Sequence, residues 1–460
     1  MDCLDPLDSR IATALPSGSL FAVGGRVRDE LRSALEGAVV TKDRDYVVTG
    51  IALEELVERL KPLGRLNVVG ASFSVIKLTL DGSTVDVALP RRERSVGTGH
   101  RDFFVQSGPA VTLEEDLSRR DFRMNMIARA LPAGDLIDPH GGEADIRARR
   151  IDILSPEAFR EDPLRMLRAA QFAARFEYAV TPDVRRAMAE AAPLVLSVSA
   201  ERIQEELAKL FKQAARPSIG LRLMQETGVL GHLWPELLEG VGVEQNEWHA
   251  YDVWNHILAV ADAAPPGDLT LRLAALLHDI GKPRTKEGPH FYRHEMVGAE
   301  MATAMLERFR FPAEVVREAS HLVRQHMYSA DPDQSDAALR RFIRRIEPEN
   351  IERLFALRHA DIAGSGLPKR DDSNEAFEAR VAAELARKPA FSIADLAVDG
   401  DDVIAALVRR GDAPAHFSGD ERVGRALRGL FEQVTDVPER NERTLLLQLL
   451  EKHLDRGGEC

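Results

Sequence analysis

The stretch Leu20–Val48, LFAVGGRVRDELRSALEGAVVTKDRDYVV, governs how the rest of the chain is read. A short apolar run meets a glycine pair that opens a helical segment, an Arg-Asp pair follows at Arg28 and Asp29, and two aspartates separated by one residue close it at Asp43 and Asp45. Gly24 and Gly25 let backbone amides approach anionic oxygens at a helix N-terminus, where the helix dipole also favours negative charge. In a strand, residues i and i+2 share a face, so Asp43 and Asp45 can converge on divalent cations while Arg44 points away. Two cations roughly 3.5 to 4 Å apart clamp the attacking and leaving oxygens of a phosphoryl transfer. These features suit a site for a nucleoside triphosphate.

Outward from this stretch, residues from about 15 to 140 alternate β-like runs (LFAVGG, RDYVVTG, RLNVVG, FSVIKLTL, TVDVAL) with helical pieces such as ALEELVERLK. That pattern predicts an α/β domain with a mixed sheet and helices, closed by the turn-rich PHGGEAD, Pro139 to Asp145. Beyond it convincing strands cease. Amphipathic periodicity in REDPLRMLRAAQFAARF, ERIQEELAKLFKQ, LTLRLAALLHDI and ERTLLLQLLEKHL predicts helix after helix. AAPPGD and EGPHFYRHE are expected to be loops, and the polar run Gly364–Glu375 a linker. The expected divisions are a head at 1–140, an all-α neck at 141–240, a body at 241–365 and a helical tail at 376–460.

With 460 residues the chain exceeds what one core supports. A formal charge of -13 excludes a broad basic coat, so any nucleic-acid partner must be gripped by local patches. Aromatics at 6% disfavour an extended stacking platform for single strands and fit recognition of folded RNA by shape and phosphates. Seven arginines between Arg147 and Arg175 form one basic patch, some expected to meet phosphates and others to pair with Glu157, Glu161 and Asp162. Cys3 and Cys460 define neither a disulfide framework nor a zinc spacing, which points to the reducing cytoplasm. The acidic start lacks a secretory signal, and no apolar run is long enough to span a bilayer.

Three pieces join the opening stretch. Asp86, in a β-like VDVAL segment, could give the metals a third carboxylate or be an ordinary solvent-facing strand aspartate. In LEEDLSRRDFRMNMIA, Leu113 to Ala128, Arg119 and Arg120 could hold phosphates and Asn125 a sugar hydroxyl, although a charged helix start looks similar. In EDPLRMLRAAQFAARF, Asp162 and Arg165 stand three apart on an expected helix and so would share a face. A carboxylate accepts and a guanidinium donates. That pair complements cytosine and adenine, which present an amino donor beside a ring acceptor, and opposes guanine and uracil. The bland alternative is an i,i+3 surface ion pair of little energetic weight.

The ordered set GGRVRD, DRD, RRDF, EDPLRMLR and ERIQEEL resembles the bacterial class of tRNA nucleotidyltransferases, the CCA-adding enzymes, and their poly(A) polymerase relatives. The resemblance implies a head, neck, body and tail, Mg²⁺ on Asp43 and Asp45, and stepwise addition of C, C and A to a tRNA 3′ end from CTP and ATP. It places nucleotide contacts on Gly24, Gly25, Arg28, Asp29, Arg119, Arg120 and Asn125, and base selection on Asp162 and Arg165 with Arg168 beside them. The chain departs from the family pattern in a longer Asp29–Asp43 segment, and in Arg123 and Met126 where the family has Thr and Ala. Those departures bear on ribose discrimination and nucleotide choice. The span Arg91–Leu117 resembles the mobile loop of A-adding members.

Eight of the 13 histidines fall between His249 and His359. His256, the dyad His278-Asp279, His294, His326 and Asp361 offer a mixed nitrogen and oxygen ligand set for a divalent metal. His321, five residues from His326, is off its helical face. The segments NHILAV, LLHDIGK, HFYRHE, LVRQHM and HADIAG resemble the HD phosphohydrolase domain, which implies phosphatase or 2′,3′-cyclic phosphodiesterase activity on RNA ends. The tail, LAVDGDDVIAALVRRGD onward, resembles the part that grips the tRNA elbow in family members, or is a plain helical packing domain. The expected partners are tRNA, CTP and ATP, with no membrane and no DNA. The rivals are a poly(A) polymerase, a CC-only or A-only enzyme, and an HD phosphohydrolase with an RNA-binding but inactive head.

Overall fold

The computed structural model describes residues 5–37, 44–69, 75–95, 103–247, 249–368, 372–387 and 389–455. Asp43, Cys3 and Cys460 lie outside the described residues, as do residues 38–42 at the end of the lengthened segment before Asp43. The chain forms two compact units. The first is Met1–Val241 with Pro265–Leu269 and Met305–Phe311; the second is Gly242–Ala264, Thr270–Ala304 and Pro312–Cys460. No described helix is long and apolar enough to cross a membrane.

In the first unit the apolar runs become strands β1 (Leu20–Val23), β2 (Asp45–Val48), β3 (Arg65–Val69), β4 (Val75–Leu80) and β5 (Ser83–Ala88). Four more strands follow: β6 (Arg91–Ser95) and β7 (Phe103–Ser107), which form their own hairpin, and β8 (Ala128–Leu131) and β9 (Leu136–Ile137). The sheet order is β3-β4-β5-β2-β1-β8-β9. Every pairing is antiparallel except β2 with β5, so the sheet is mixed, as expected. That parallel pair aligns Asp45 with Asp86. Phe21, Val23, Val47, Leu117, Met126 and Ala128 form the apolar cluster behind the site.

Beside the central strand β2, Arg26 bonds both carboxylate oxygens of Asp8, on the helix Pro6–Ala14, and the Tyr46 hydroxyl donates to the same carboxylate. Asp8 and Tyr46 are buried. The neck then runs as helices Leu164–Phe176, Pro182–Ala191, Ala200–Gln213 and Ser218–Glu226. Strands do not vanish after Asp145: Arg150–Ile151 pairs in parallel with Ala179–Val180, too short a pairing for periodicity to show. The expected continuous helix over REDPLRMLRAAQFAARF is broken. Ala158–Glu161 ends before Pro163, whose ring disfavours helical backbone in the preceding residue, and Asp162 is extended at φ -136°, ψ 96°.

The second unit is helical apart from a two-residue hairpin inside the expected loop EGPHFYRHE. The expected linker Gly364–Glu375 carries the start of a helix, Asp372–Ala386. That helix seats Phe377 among Tyr328, Phe342 and Phe355, and Glu384 meets the buried Arg340 at 2.7 Å. Arg340 also donates to the Thr435 and Asp436 carbonyls. The tail helices Gly400–Arg410, Glu421–Asp436 and Arg443–Asp455 enclose an apolar core of Val403, Leu407, Leu430, Val434, Leu446 and Leu450.

Candidate functional sites

A cavity of about 530 Å³ opens in the first unit where β1 ends. Gly24 caps the helix Gly25–Glu36 at φ +67°, ψ -132°, a conformation side chains rarely adopt. A Cβ there would meet Arg120 Nη1 at 2.7 Å, so any side chain would also displace that guanidinium. Gly25, Arg28, Asp45, Arg119, Arg120, Asn125, Asp162, Arg165 and Arg168 all line the cavity. With Arg91, Arg175 and Lys209, its lining holds eight basic side chains against four acidic ones, Asp45, Asp121, Asp162 and Glu206. Such an excess is suited to a polyanion.

The basic groups are held in place. Arg28 is buried between the rings of Phe172 and Phe176, at 5.1 and 4.9 Å, and donates to Asn125 Oδ1 at 2.8 Å. Asn125 in turn donates to Asp121 at 2.8 Å, and Asp121 pairs with Arg168 at 2.7 Å. Burial works to raise the Asp121 carboxyl, but Arg168 and Asn125 outweigh it and hold the group below the usual carboxylate range. Asp116, fully buried, accepts from Arg119 at 2.7 Å, Arg120 at 2.9 Å and the Arg91 backbone amide at 3.1 Å. Arg165 donates to the Arg119 carbonyl at 2.6 Å. One buried carboxylate thus organises both cavity-lining arginines and the root of the β6–β7 hairpin.

Several expected placements need correcting. Asp162 and Arg165 both face the cavity, but they do not share a helical face, because Asp162 precedes the helix; its carboxylate meets Arg202 at 3.1 Å and caps Leu164. Asp29 does not line the cavity. It is buried beneath Arg28, at 2.8 Å, and beside Arg32, at 3.8 Å, so it orients Arg28 rather than meeting a ligand. Asp86 stands beside Asp45 in register, yet its carboxylate is paired with Lys77 at 3.1 Å. Arg123 points away from the cavity to Asp145 and Asp152, at 2.8 and 2.9 Å. Of the arginines from Arg147 to Arg175, Arg149 and Arg150 pair with Glu36 and Asp145, and Arg165 approaches Glu161 only at 3.8 Å.

In the second unit His256, His278, Asp279, His294, His326 and Asp361 converge on one buried centre. Nε2 of His256 and His278 are 3.2 Å apart, and those of His294 and His326 also 3.2 Å. Each ring is fixed from behind: Nδ1 donates to the carbonyls of Gly364, Ala275, Phe291 and Val323 respectively, at 2.7 to 3.2 Å. In the neutral rings that tautomer leaves each Nε2 as an inward lone pair, the arrangement of a metal-binding imidazole. Asp279 lies between two groups. One oxygen is 3.3 Å from His256 and His278, the other 3.3 and 3.7 Å from His294 and His326. Burial and the neighbouring His278 push His326 down to about 3, keeping it a neutral donor. Burial opposes charge on His256, but Asp279 and Asp361 raise it to about 9. A bound cation would replace that proton. The donor set therefore fits a divalent metal.

His321 instead bonds the Ile346 carbonyl at 3.0 Å and stays outside the cluster. Two residues escaped the sequence reading. His249 reaches a ligand group with His256 and Asp279, and buried Lys282 sits 2.6 Å from Asp279.

Three family models match in order. The poly A polymerase head domain covers residues 20–152, the probable RNA and SrmB-binding site of polymerase A covers 177–240, and the HD domain covers 248–388. The multifunctional CCA protein of Xanthomonas campestris pv. campestris (strain B100) is 36% identical over 403 residues, spanning 83% of this chain and 93% of the relative. This chain belongs to the multifunctional CCA protein family. The family member from Azoarcus sp. (strain BH72) is 40% identical over 318 residues, 66% of this chain and 73% of that one. The fold matches the crystal structure of the Bacillus stearothermophilus CCA-adding enzyme in complex with CTP, with a TM-score of 0.66, 24% identity, and coverage of 96% and 95% of the two chains. It also matches the Thermotoga maritima CCA-adding enzyme complexed with tRNA, at TM-score 0.55 and 20% identity. Within this family member, Asp121 lines the cavity while Asp116 and Arg202 hold side chains that do; the sequence motifs contained all three, but spacing alone did not single them out.

Proposed function

We propose that this protein adds C, C and A in turn to the 3′ end of tRNA, taking CTP and ATP as substrates. The observation that carries the reading is the single cavity in which glycine-opened backbone, Asp45, a set of anchored arginines and the Asp162-Arg165 pair meet. Asp45, with Asp43 before it, would hold Mg²⁺, which when bound lowers the pKa of the attacking 3′ hydroxyl and neutralises the departing pyrophosphate. Arg28, Arg119 and Arg120 offset triphosphate charge, and their ion pairs and hydrogen bonds fix them before the nucleotide arrives. Asp162 accepts the amino hydrogen of cytosine or adenine while Arg165 donates to the ring nitrogen. No protein nucleophile is required. The substrate is cytoplasmic tRNA, and the chain divides by function into head (1–140), neck (141–240), HD body (241–365) and tail (376–460). Incubation of tRNA lacking its CCA end with labelled CTP and ATP tests this; open-ended A tails or addition of C alone would overturn it.

The base-reading assignment has its own test. Asp162→Asn exchanges an ionised acceptor for an amide, which removes a charge-assisted hydrogen bond of about 1.5–3 kcal/mol. KM for CTP and ATP should rise roughly 10- to 100-fold, with misincorporation of UTP or GTP increasing. Unchanged discrimination would show that Asp162 only caps the helix Leu164–Phe176.

The histidine cluster supports a second activity, metal-dependent hydrolysis of a phosphomonoester or 2′,3′-cyclic phosphate at an RNA end. His256, His278, Asp279, His294, His326 and Asp361 would hold the metal. Saturating Mn²⁺, Co²⁺ or Ni²⁺ should raise the melting temperature, by about 2.7 kcal/mol of stabilisation at one hundred times Kd. His278→Ala should lose most of that shift. Equal shifts in both proteins would disprove the site.

A further inference from the structure

The hairpin that precedes His294 carries two rings that the metal cluster does not use. Lys286–Glu287 pairs with His290–Phe291 across a turn at Gly288, φ +60°. His290 and Tyr292 share a side of this segment, and their rings stack with centroids 5.3 Å apart and planes 28° from parallel. Both are exposed, Tyr292 by 60%. Phe291, between them, lies near Lys282 and Lys286, whose ammonium groups are 5.5 and 5.9 Å from its ring centre. Its carbonyl fixes His294 at 2.8 Å, and Lys282 reaches Asp279 at 2.6 Å. The hairpin is therefore built into the metal cluster and presents two rings to solvent.

Exposure of this kind needs a cause, because burying a large apolar side chain contributes about 1.5–3 kcal/mol. Among the described residues of the second unit, the two most exposed large apolar side chains are Met327, at 61%, and Tyr292, and each stands within two residues of a cluster histidine. Apolar area is thus left uncovered on segments that lead directly into an anion-handling metal cluster. A ligand matching both has a flat apolar part and an anionic part, which describes a nucleotide.

We propose that the His290–Tyr292 pair is a stacking platform for the base of an RNA terminal nucleotide whose phosphate enters the histidine cluster; the proposal rests on the phosphohydrolase reading above. Lys282, which reaches Asp279, and Lys286, beside Phe291, supply positive charge for the phosphate. Every base has a π face, so the platform accepts any terminal base. The head, by contrast, selects through Asp162 and Arg165.

The test uses the full chain loaded with Mn²⁺ and two phosphomonoesters: uridine 2′-monophosphate, whose base the head disfavours, and base-free β-glycerophosphate. Base stacking on an aromatic ring contributes about 1–3 kcal/mol. Tyr292→Ala should therefore lower the ratio of kcat/KM for the nucleotide over that for glycerophosphate by about tenfold. The change should reside in KM, and Tyr292→Phe should restore the ratio. Calorimetric binding of uridine 2′-monophosphate to the same proteins should show the same loss of affinity without turnover. Absence of hydrolysis in every protein would refute the phosphohydrolase reading, while the binding comparison still decides the platform. Equal nucleotide affinity in wild type and Tyr292→Ala, or equal losses with both probes, would overturn it.

Discussion

Asp45→Ala should slow incorporation of both CTP and ATP by at least about 1,000-fold, while leaving the melting temperature nearly unchanged. The size follows from losing metal-borne charge stabilisation of several kcal/mol, each 1.36 kcal/mol being a factor of ten. The small stability effect follows from position. Asp45 is exposed at the start of β2, whereas its neighbours Tyr46, Val47 and Val48 are buried and hold the strand. Substitutions at such surface positions usually stay within about 0.5 kcal/mol. Single-turnover extension of tRNA lacking its CCA end, beside a thermal melt, checks both halves. Retained incorporation would remove the head from the reaction and return the protein to the phosphohydrolase rival. Cluster hydrolysis, in the second unit, should persist in the same variant.

The second large effect is expected at Asp116, which touches no ligand. Asp116→Asn keeps the shape but removes the charge that Arg119 and Arg120 share. Breaking a buried pair costs about 3–5 kcal/mol, and the arginines' 19–20% exposure brings the expected loss nearer 2–4 kcal/mol. KM for both nucleotides should rise about 10- to 100-fold as the two guanidiniums lose their aim. Inhibition by pyrophosphate should weaken in parallel, a change that general loosening of the fold would not single out. The stability gap between wild type and Asp116→Asn should also depend on pH. Burial raises the Asp116 carboxyl, but Arg120 and Arg119 outweigh burial and hold it below its ordinary value. The stabilisation is then fully present above the unfolded value of about 3.9 and disappears as pH falls through the lower folded value. A gap that closes already between pH 7 and 5 would contradict this.

Much of the architecture was legible because it rests on local chemistry. Five of the nine strands in the first unit's head coincide with the apolar runs, and the glycine pair marks where β1 ends and the helix begins. The ordered motifs also foretold that Arg28, Arg119, Arg120, Asn125 and Arg168 would meet in one cavity. Periodicity failed where a single residue redirected the backbone, as Pro163 does for Asp162. The resemblance misplaced Asp29 as a nucleotide contact, because a charged residue reads the same whether it faces a ligand or a buried counter-ion. In the second unit, ligand types and order sufficed to gather six cluster residues. His249 became visible only when segments far apart in sequence were brought within a few ångströms, and Lys282, three residues after Asp279, only when the local turn set its ammonium on that carboxylate. The stacked rings of His290 and Tyr292 lay in what looked like an ordinary loop.

The Arg26–Asp8–Tyr46 contact makes the helix Pro6–Ala14 a strut for the central strand β2. Tyr46 follows Asp45 directly, so the carboxylate proposed to hold the metal sits beside a residue braced by one thirty-eight positions before it, Asp8. Trimming the chain through Ala14 would leave the buried Tyr46 hydroxyl without its acceptor and Arg26 with Glu30 alone. Tags and fusions at this end are therefore not neutral handles: those that pull on Pro6–Ala14 should act as inhibitors of the chemistry on the opposite side of β2.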